Sequence, residues 1–346
     1  MYMYFSTFIS GLSSIIELQL KDCIPDVSIK LVQDGIIIYS TNISPEDIVK
    51  LRFFNNTFSL VKTFKNTATD TKSINKIIKK TIEDKNVFYH LGKKIPKNNK
   101  SFRIVISVGN IMISPDKNML YKLENKITDS ISLRVDRAIP DIELWYFLRR
   151  EISDAYFGIR LTKHTEYSKI LQKGELHPEL VNTLCYLSDP QINDIYLDPF
   201  VGSGAIPIEL SKSFVCKSII AVDIDDSIVQ RFKDRSQNLK IDVRSECMDS
   251  LNLANLKNNS VNKIVTDPPW GINIGKDLNL EIFYKQMLLE FFRILDVNGV
   301  IVILIGNKEL FENVLNKLYS FFKIIDQYNI LVSGKKAGIY KISVMK

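Results

Sequence analysis

Leu197–Leu210 reads LDPFVGSGAIPIEL. A short apolar strand precedes it, a turn holding Gly202 and Gly204 follows, and a helix begins near Ala205. Glycine lets the backbone turn tightly and lets a ligand come close to it. Exposed amides at a helix N-terminus bind polar or anionic groups. Strand, glycine turn and helix in that order form one unit of a parallel α/β sheet. The rhythm repeats from about Lys163 onward. Strands are expected near Asp194–Leu197, Ser218–Val222, Lys240–Arg244, Lys263–Thr266 and Val300–Ile305, with amphipathic helices between them such as Phe283–Ile294. The C-terminal YNILVSGKKAGIYKISVM (328–345) alternates on both sides of a glycine-containing turn, the pattern of an antiparallel hairpin. Ligands of such sheets bind beyond the carboxyl ends of the strands.

Acids stand at those ends. Asp198 heads the glycine turn. Asp223 ends the second strand, 19 residues after Gly204, where an acid usually meets ribose hydroxyls. Asp249 follows the third strand and can accept a hydrogen bond from an adenine amino group. Each alone also suits a solvated strand end, but three beside a glycine turn suggest a nucleoside-containing cofactor. The turn lacks the G-x-G-x-x-G spacing for a pyrophosphate, and no P-loop lysine follows. One adenosine with a charged amino-acid tail fits, which is S-adenosylmethionine.

The fourth strand leads into TDPPWG (266–271). Two prolines remove two backbone donors in succession, so this is neither mid-helix nor mid-strand. An acid, Asp267, precedes Pro268 and Pro269, and an aromatic, Trp270, follows them.

The N-terminal half reads differently. A βαββαβ order over residues 1–62 fits a small ferredoxin-like domain. It comprises Tyr4–Phe8, a helix Gly11–Lys21, the hairpin Val27–Tyr39, a helix started by Ser44-Pro45-Glu46-Asp47, and Thr57–Val61. A second α+β unit spans 63–162. Its helix Thr71–Asp84 sets Ile74, Ile77, Ile78 and Ile82 inward and Lys72, Lys76, Lys79 and Lys80 outward. GKKIPKNNK (92–100) reads as an exposed loop, Ser114-Pro115-Asp116 as a helix cap, and Asp141–Tyr146 and Ala155–Leu161 as strands. Residues 1–150 carry 23 Lys and Arg against 15 Asp and Glu, whereas residues 151–346 carry 23 against 24. A basic half joined to a neutral half suits a polyanionic partner, because clustered cations displace the counterions of nucleic acid. Four dispersed cysteines without a C-x-x-C pair imply reduced, mostly buried thiols in a cytoplasmic protein and no structural zinc. No metal site is expected. His90 and His164 read as surface or packing residues. The longest apolar runs fall short of a membrane span, and the opening residues lack the basic region and cleavage site of a signal peptide.

Taken together, GELHPELVNTLCYL (174–187), DPFVGSGAIPIE (198–209), TDPPWG and the opening STFISGLSSIIELQL (6–20) resemble the THUMP-domain class I S-adenosylmethionine-dependent RNA guanine-N2 methyltransferases. The fold implied is α/β: a Rossmann-like domain at 163–346, with a seven-stranded sheet ending in an antiparallel hairpin. Before it come a ferredoxin-like domain (1–62) and a THUMP RNA-binding domain (63–162). The family's glycine loop commonly has Cys and Thr where Val201 and Ala205 stand. Trp270 is similar to the tryptophan of the cap-guanosine N2 enzyme.

The resemblance implies methyl transfer from S-adenosylmethionine to the N2 amine of a guanosine in tRNA, near the acceptor stem and best matched by position 6. Asp267, Pro268, Pro269 and Trp270 form the catalytic motif. His177, Pro178, Asp198, Phe200, Gly202, Ser203, Gly204, Asp223, Ile224, Met248, Asp249 and Asp267 surround the cofactor, with His177 a helix-start residue rather than a base. Lys72, Lys76, Lys79, Lys80, Lys93, Lys94, Lys97 and Lys100 are the candidate RNA contacts. A cytoplasmic monomer without membrane attachment is expected, and the need for a small activator subunit stays open. Competing readings are a 23S rRNA guanine-N2 enzyme, an amino methyltransferase acting on adenine N6 or on a protein glutamine, and an RNA-binding protein with an inactive methyltransferase fold.

Overall fold

The computed structural model describes residues 1–109, 111–149, 153–162, 171, 174–272 and 275–346; His164 lies outside them. The first unit runs β1 (Tyr2–Thr7), α1 (Ser13–Cys23), β2 (Ser28–Gln33), β3 (Ile36–Thr41), the single turn α2 (Pro45–Ile48) and β4 (Asn56–Phe64). Its strands lie antiparallel in the order β2-β3-β1-β4, as βαββαβ implied. Ser44 caps α2 by accepting from the Asp47 amide, with Pro45 in the first turn.

The second unit contributes α3 (Thr71–Glu83), α4 (Lys85–Lys94), β5 (Ser101–Val108), β6 (Ile111–Met112), α5 (Lys117–Ile131), β7 (Arg134–Val135), β8 (Ile142–Leu148) and β9 (Ala155–Arg160). β9 pairs with β4, so the two units share one nine-stranded sheet. A boundary between residues 62 and 63 therefore falls inside β4, an interior strand that pairs with β1 on one side and β9 on the other. The stretch 92–100 is not wholly loop, since α4 continues to Lys94. Asp84 ends α3 and restarts the chain as α4 by accepting from the Asn86 amide.

The third region alternates as expected: α6 (Pro178–Leu187), β10 (Ile195–Asp198), α7 (Ala205–Ser213), β11 (Ser218–Asp223), α8 (Asp226–Leu239), β12 (Arg244–Cys247), β13 (Val261–Thr266), α9 (Leu280–Ile294), β14 (Leu295–Ile305), α10 (Lys308–Lys317), β15 (Phe322–Val332) and β16 (Lys335–Val344). The sheet order is β12-β11-β10-β13-β14-β16-β15, parallel through β14, with β16 antiparallel to both neighbours. Seven strands ending in a hairpin were expected. The third strand lies later than Lys240–Arg244. Helix α8 runs to Leu239, and Lys240 takes a left-handed cap conformation (φ 55°) before the chain can extend.

One apolar cluster crosses from the first unit into the third, joining Tyr4, Phe8, Leu12, Ile16 and Leu20 to Leu180, Leu184, Ile206 and Leu210. The thiols are less sheltered than their dispersal suggested: Cys185 is buried, Cys216 is half-buried, and Cys23 and Cys247 are exposed. Among the described residues no helix is long and apolar enough to cross a membrane.

Candidate active site

The parallel strands β10, β11, β12 and β13 end side by side, which brings Asp198, Asp223, Met248-Asp249 and Thr266-Asp267 to one edge of the sheet. The glycine turn is tied to its neighbour. The Gly202 amide donates to Asp223 Oδ2 at 3.1 Å, and the Asp225 amide to Asp223 Oδ1 at 3.2 Å. Gly204 has φ 86°, and a Cβ there would lie 2.2 Å from the Phe232 ring of α8, so only glycine lets loop and helix approach this closely.

Asp198 is 1% exposed. Its Oδ1 accepts from Thr266 Oγ1 at 2.9 Å and from the Phe200 amide at 3.3 Å, linking the first and fourth strand ends. Burial pushes its carboxyl up to about 7, against those two hydrogen bonds and helped by the nearby Asp267 and Asp223 charges. Asp249 is exposed and accepts from the Leu251 amide at 2.9 Å. Beside it Met248 is half-buried and Ile224 is 71% exposed. His177 caps α6 with its side chain half-exposed, Nδ1 lying 3.9 Å from Glu179, and Pro178 opens the helix.

In the proline motif, Trp270 Nε1–H donates to Asp267 Oδ1 at 2.8 Å. Desolvation pushes the Asp267 carboxyl up to about 7, a rise that the tryptophan bond opposes. Behind the ring, Gly306 follows the last residue of β14, and a Cβ there would stand 2.4 Å from Trp270 Cε3; the indole lies on bare backbone. Buried Tyr284 of α9 donates to the Pro269 carbonyl at 3.1 Å.

Four supports were not singled out from the sequence: Thr266, Tyr284, Gly306 and Arg235. Arg235, on α8, donates to the Ser203 carbonyl at 2.7 Å and to Glu175 at 2.7 Å, binding the turn to the segment before α6. Tyr284 sits on the apolar face of α9 and is indistinguishable from core by spacing. Gly306 follows a continuous apolar strand that carries no polar signal.

The candidate RNA lysines do not form one class. Lys72, Lys76, Lys79 and Lys80 line the exposed side of α3, with Lys79 lying 3.8 Å from Glu83. Lys93 lies 4.3 Å from the Tyr89 ring centre, and Lys97 and Lys100 are exposed. Lys94 is half-buried and donates to Ser59 Oγ at 3.0 Å, and burial lowers its pKa. A cavity of about 620 Å³ lies away from this chemistry, on the N-terminal sheet beside Arg103, Arg137, Arg160 and Trp145. Among the described residues no His, Cys, Asp and Glu cluster could hold a metal.

The strand order, the glycine turn after the first strand and D-P-P-W after the fourth define a class I methyltransferase fold. Residues 165–334 match the family UPF0020, described as RMKL-like, methyltransferase domain. Among curated relatives, tRNA (guanine(6)-N2)-methyltransferase of Methanocaldococcus jannaschii is 21% identical over 66% of this chain and 67% of its own length. The human tRNA (guanine(6)-N(2))-methyltransferase THUMP3 is 27% identical over 62% of this chain. That match spans only 45% of the human protein. The crystal structure of TrmN from Thermus thermophilus superposes with a TM-score of 0.79 at 17% identity, covering 100% of both chains, a likeness of fold. The methyltransferase resemblance read from the motifs is thus borne out.

Proposed function

We propose that the protein transfers a methyl group from S-adenosylmethionine to the N2 amine of a guanosine in tRNA, at position 6 in the acceptor stem. The observation that carries this reading is the Asp267–Trp270 hydrogen bond at the tip of β13, beside the glycine turn at the tip of β10. The two compared relatives are named for guanine 6 of tRNA, which supports that choice.

The residues at the strand ends fit S-adenosylmethionine. Asp223 is free enough at the surface to accept from ribose hydroxyls while holding the Gly202 amide. Exposed Ile224 and half-buried Met248 offer apolar flanks to an adenine, with Asp249 as acceptor for its amino group. Phe200, Ser203, Gly204, His177 and Pro178 complete the rim. Two carboxyls held near 7 lack a cation of their own among these contacts, which suits a sulfonium. When bound, the cofactor supplies an electrophilic methyl.

The chain's own groups do the rest. A guanine amine is a poor nucleophile because its lone pair is delocalised into the ring. Asp267 and the Pro268 carbonyl accept its two N–H groups and localise that pair; the Pro269 carbonyl is taken by Tyr284. Both prolines fix these acceptors before substrate arrives, so little reorganisation accompanies reaction. Trp270 stacks on the base, a contact worth about 1–3 kcal/mol, after the base is turned out of its helix. Asp267 holds the proton that the methylated amine releases.

Residues 1–62, 63–162 and 163–346 are read as ferredoxin-like, THUMP and methyltransferase domains, the first two joined through β4. The lysine faces of α3 and α4 form the tRNA-facing side of a cytoplasmic enzyme. The test is transfer of labelled methyl from S-adenosylmethionine to unmodified bulk tRNA, with nucleoside analysis giving N2-methylguanosine at position 6. N6-methyladenosine, or activity confined to DNA or 23S rRNA, overturns the reading.

A further inference from the structure

Helices α6 and α7 both begin at the cofactor rim, at His177-Pro178 and at Gly204-Ala205. Four residues into each, about 6 Å along the axis, stand Asn182 and Glu209. Both are buried, and they are bonded to each other: Asn182 Nδ2 donates to Glu209 Oε1 at 2.8 Å. The same pair is held from the N-terminal unit. Gln19 of α1, 2% exposed, donates to Asn182 Oδ1 at 2.8 Å. Arg52, in the turn after α2, grips Glu209 with both prongs, Nε to Oε1 at 2.7 Å and Nη2 to Oε2 at 2.5 Å. Ser213 Oγ adds a further bond to Oε1 at 2.7 Å. The Glu209 side chain is 3% exposed, and the Arg52 guanidinium is paired with it there.

We propose that Arg52 and Gln19 are positioning residues of the cofactor site. They set the spacing and tilt of α6 and α7, and hence of His177 and the glycine turn. Cofactor affinity then depends on side chains that lie more than a hundred residues before the methyltransferase domain. The planar, two-pronged guanidinium fixes orientation as well as charge, which a lysine cannot do. The inference rests on the cofactor site proposed above.

The test is calorimetric titration of the full chain with S-adenosylhomocysteine, without RNA. Arg52→Met is expected to weaken binding about 5- to 20-fold, within the usual range of coupling between sites. Lys62→Met removes an ion pair with Asp84 whose cation is as exposed as Arg52, away from α6 and α7, and is expected to bind within about twofold of wild type. The double variant Arg52→Met/Glu209→Gln removes the stranded buried charge and keeps the chain folded. It is expected to stay weak, because the tie to the N-terminal unit is still missing. Wild-type affinity in the folded double variant, or in Arg52→Met itself, overturns the inference. A wild-type protein that binds no S-adenosylhomocysteine overturns the cofactor site and the inference together.

Discussion

Asp198 and Asp267 end two adjacent strands, and burial raises both carboxyls to about 7. Between about pH 4 and 7 the folded chain holds protons that the unfolded chain has released. Unaided stability therefore falls as pH rises through that window. A bound sulfonium favours the ionised pair, so S-adenosylmethionine should bind more tightly as pH rises from 6 to 8 and should release protons on binding. The product S-adenosylhomocysteine, whose thioether sulfur carries no charge, should show a smaller trend. Calorimetry in buffers of differing ionisation enthalpy measures both, and equal pH dependence for the two ligands would mean these carboxyls do not face the sulfonium. Asp267→Ala should lower turnover by about 100-fold or more while changing tRNA affinity by less than about threefold; equal losses in a filter-binding assay would make Asp267 structural. Tyr284→Phe removes one hydrogen bond to Pro269 and should reduce kcat about 2- to 10-fold, with the KM for S-adenosylmethionine unchanged.

At the scale of elements, the site depends on two close approaches between backbone and a neighbouring ring. The glycine turn meets α8 at Gly204 against Phe232, and the proline motif meets the residue after β14 where Gly306 lies against Trp270. Gly204→Ala adds both backbone strain and a clash with the ring, about 2–4 kcal/mol. It should lower the melting temperature and abolish S-adenosylhomocysteine binding. Gly306→Ala displaces the indole instead and should lower kcat with cofactor affinity retained, a split that steady-state kinetics resolves. The strand, turn and helix of residues 195–213 were legible because glycine, a following helix and a preceding apolar run are all local signals. The supports from Tyr284, Arg235 and Gly306 were not, since each is ordinary in its own neighbourhood and acquires its role only from a partner across the sheet edge. The displaced β12 has a local cause that spacing does not reveal: Lys240 caps a helix where the alternation suggested a strand.

At the scale of the whole molecule, the three regions are less separable than their compositions imply. β4 serves both N-terminal units, and α1 shares a core with α6 and α7. Deleting residues 1–162 uncovers Leu180, Leu184, Ile206 and Leu210 along with the Arg52 partner of Glu209. The remaining fragment should melt without cooperativity and bind hydrophobic dyes; a fragment with a sharp transition would show the third region to be self-sufficient. Charge remains the long-range feature of the first half. Replacing Lys72, Lys76, Lys79 and Lys80 with Ala should flatten the salt dependence of tRNA binding by about 3 in the log–log slope if each meets a phosphate. An unchanged slope would remove α3 from the RNA-facing side.

The sequence by itself determined the parallel α/β domain, the acids at its strand ends, the glycine turn and the proline motif. It also determined the βαββαβ opening and the basic half. These are matters of periodicity, backbone restriction and charge, all read within a few residues of chain. Only the tertiary structure decided that Asp198 is buried between two strand ends and that Asp267 is held by Trp270. It alone decided that one sheet runs through both N-terminal units, and that Gln19 and Arg52 reach the helices of the cofactor rim. Those outcomes depend on desolvation and on partners up to more than 160 residues apart, and burial of a charge is a property of what surrounds it, which no local pattern encodes.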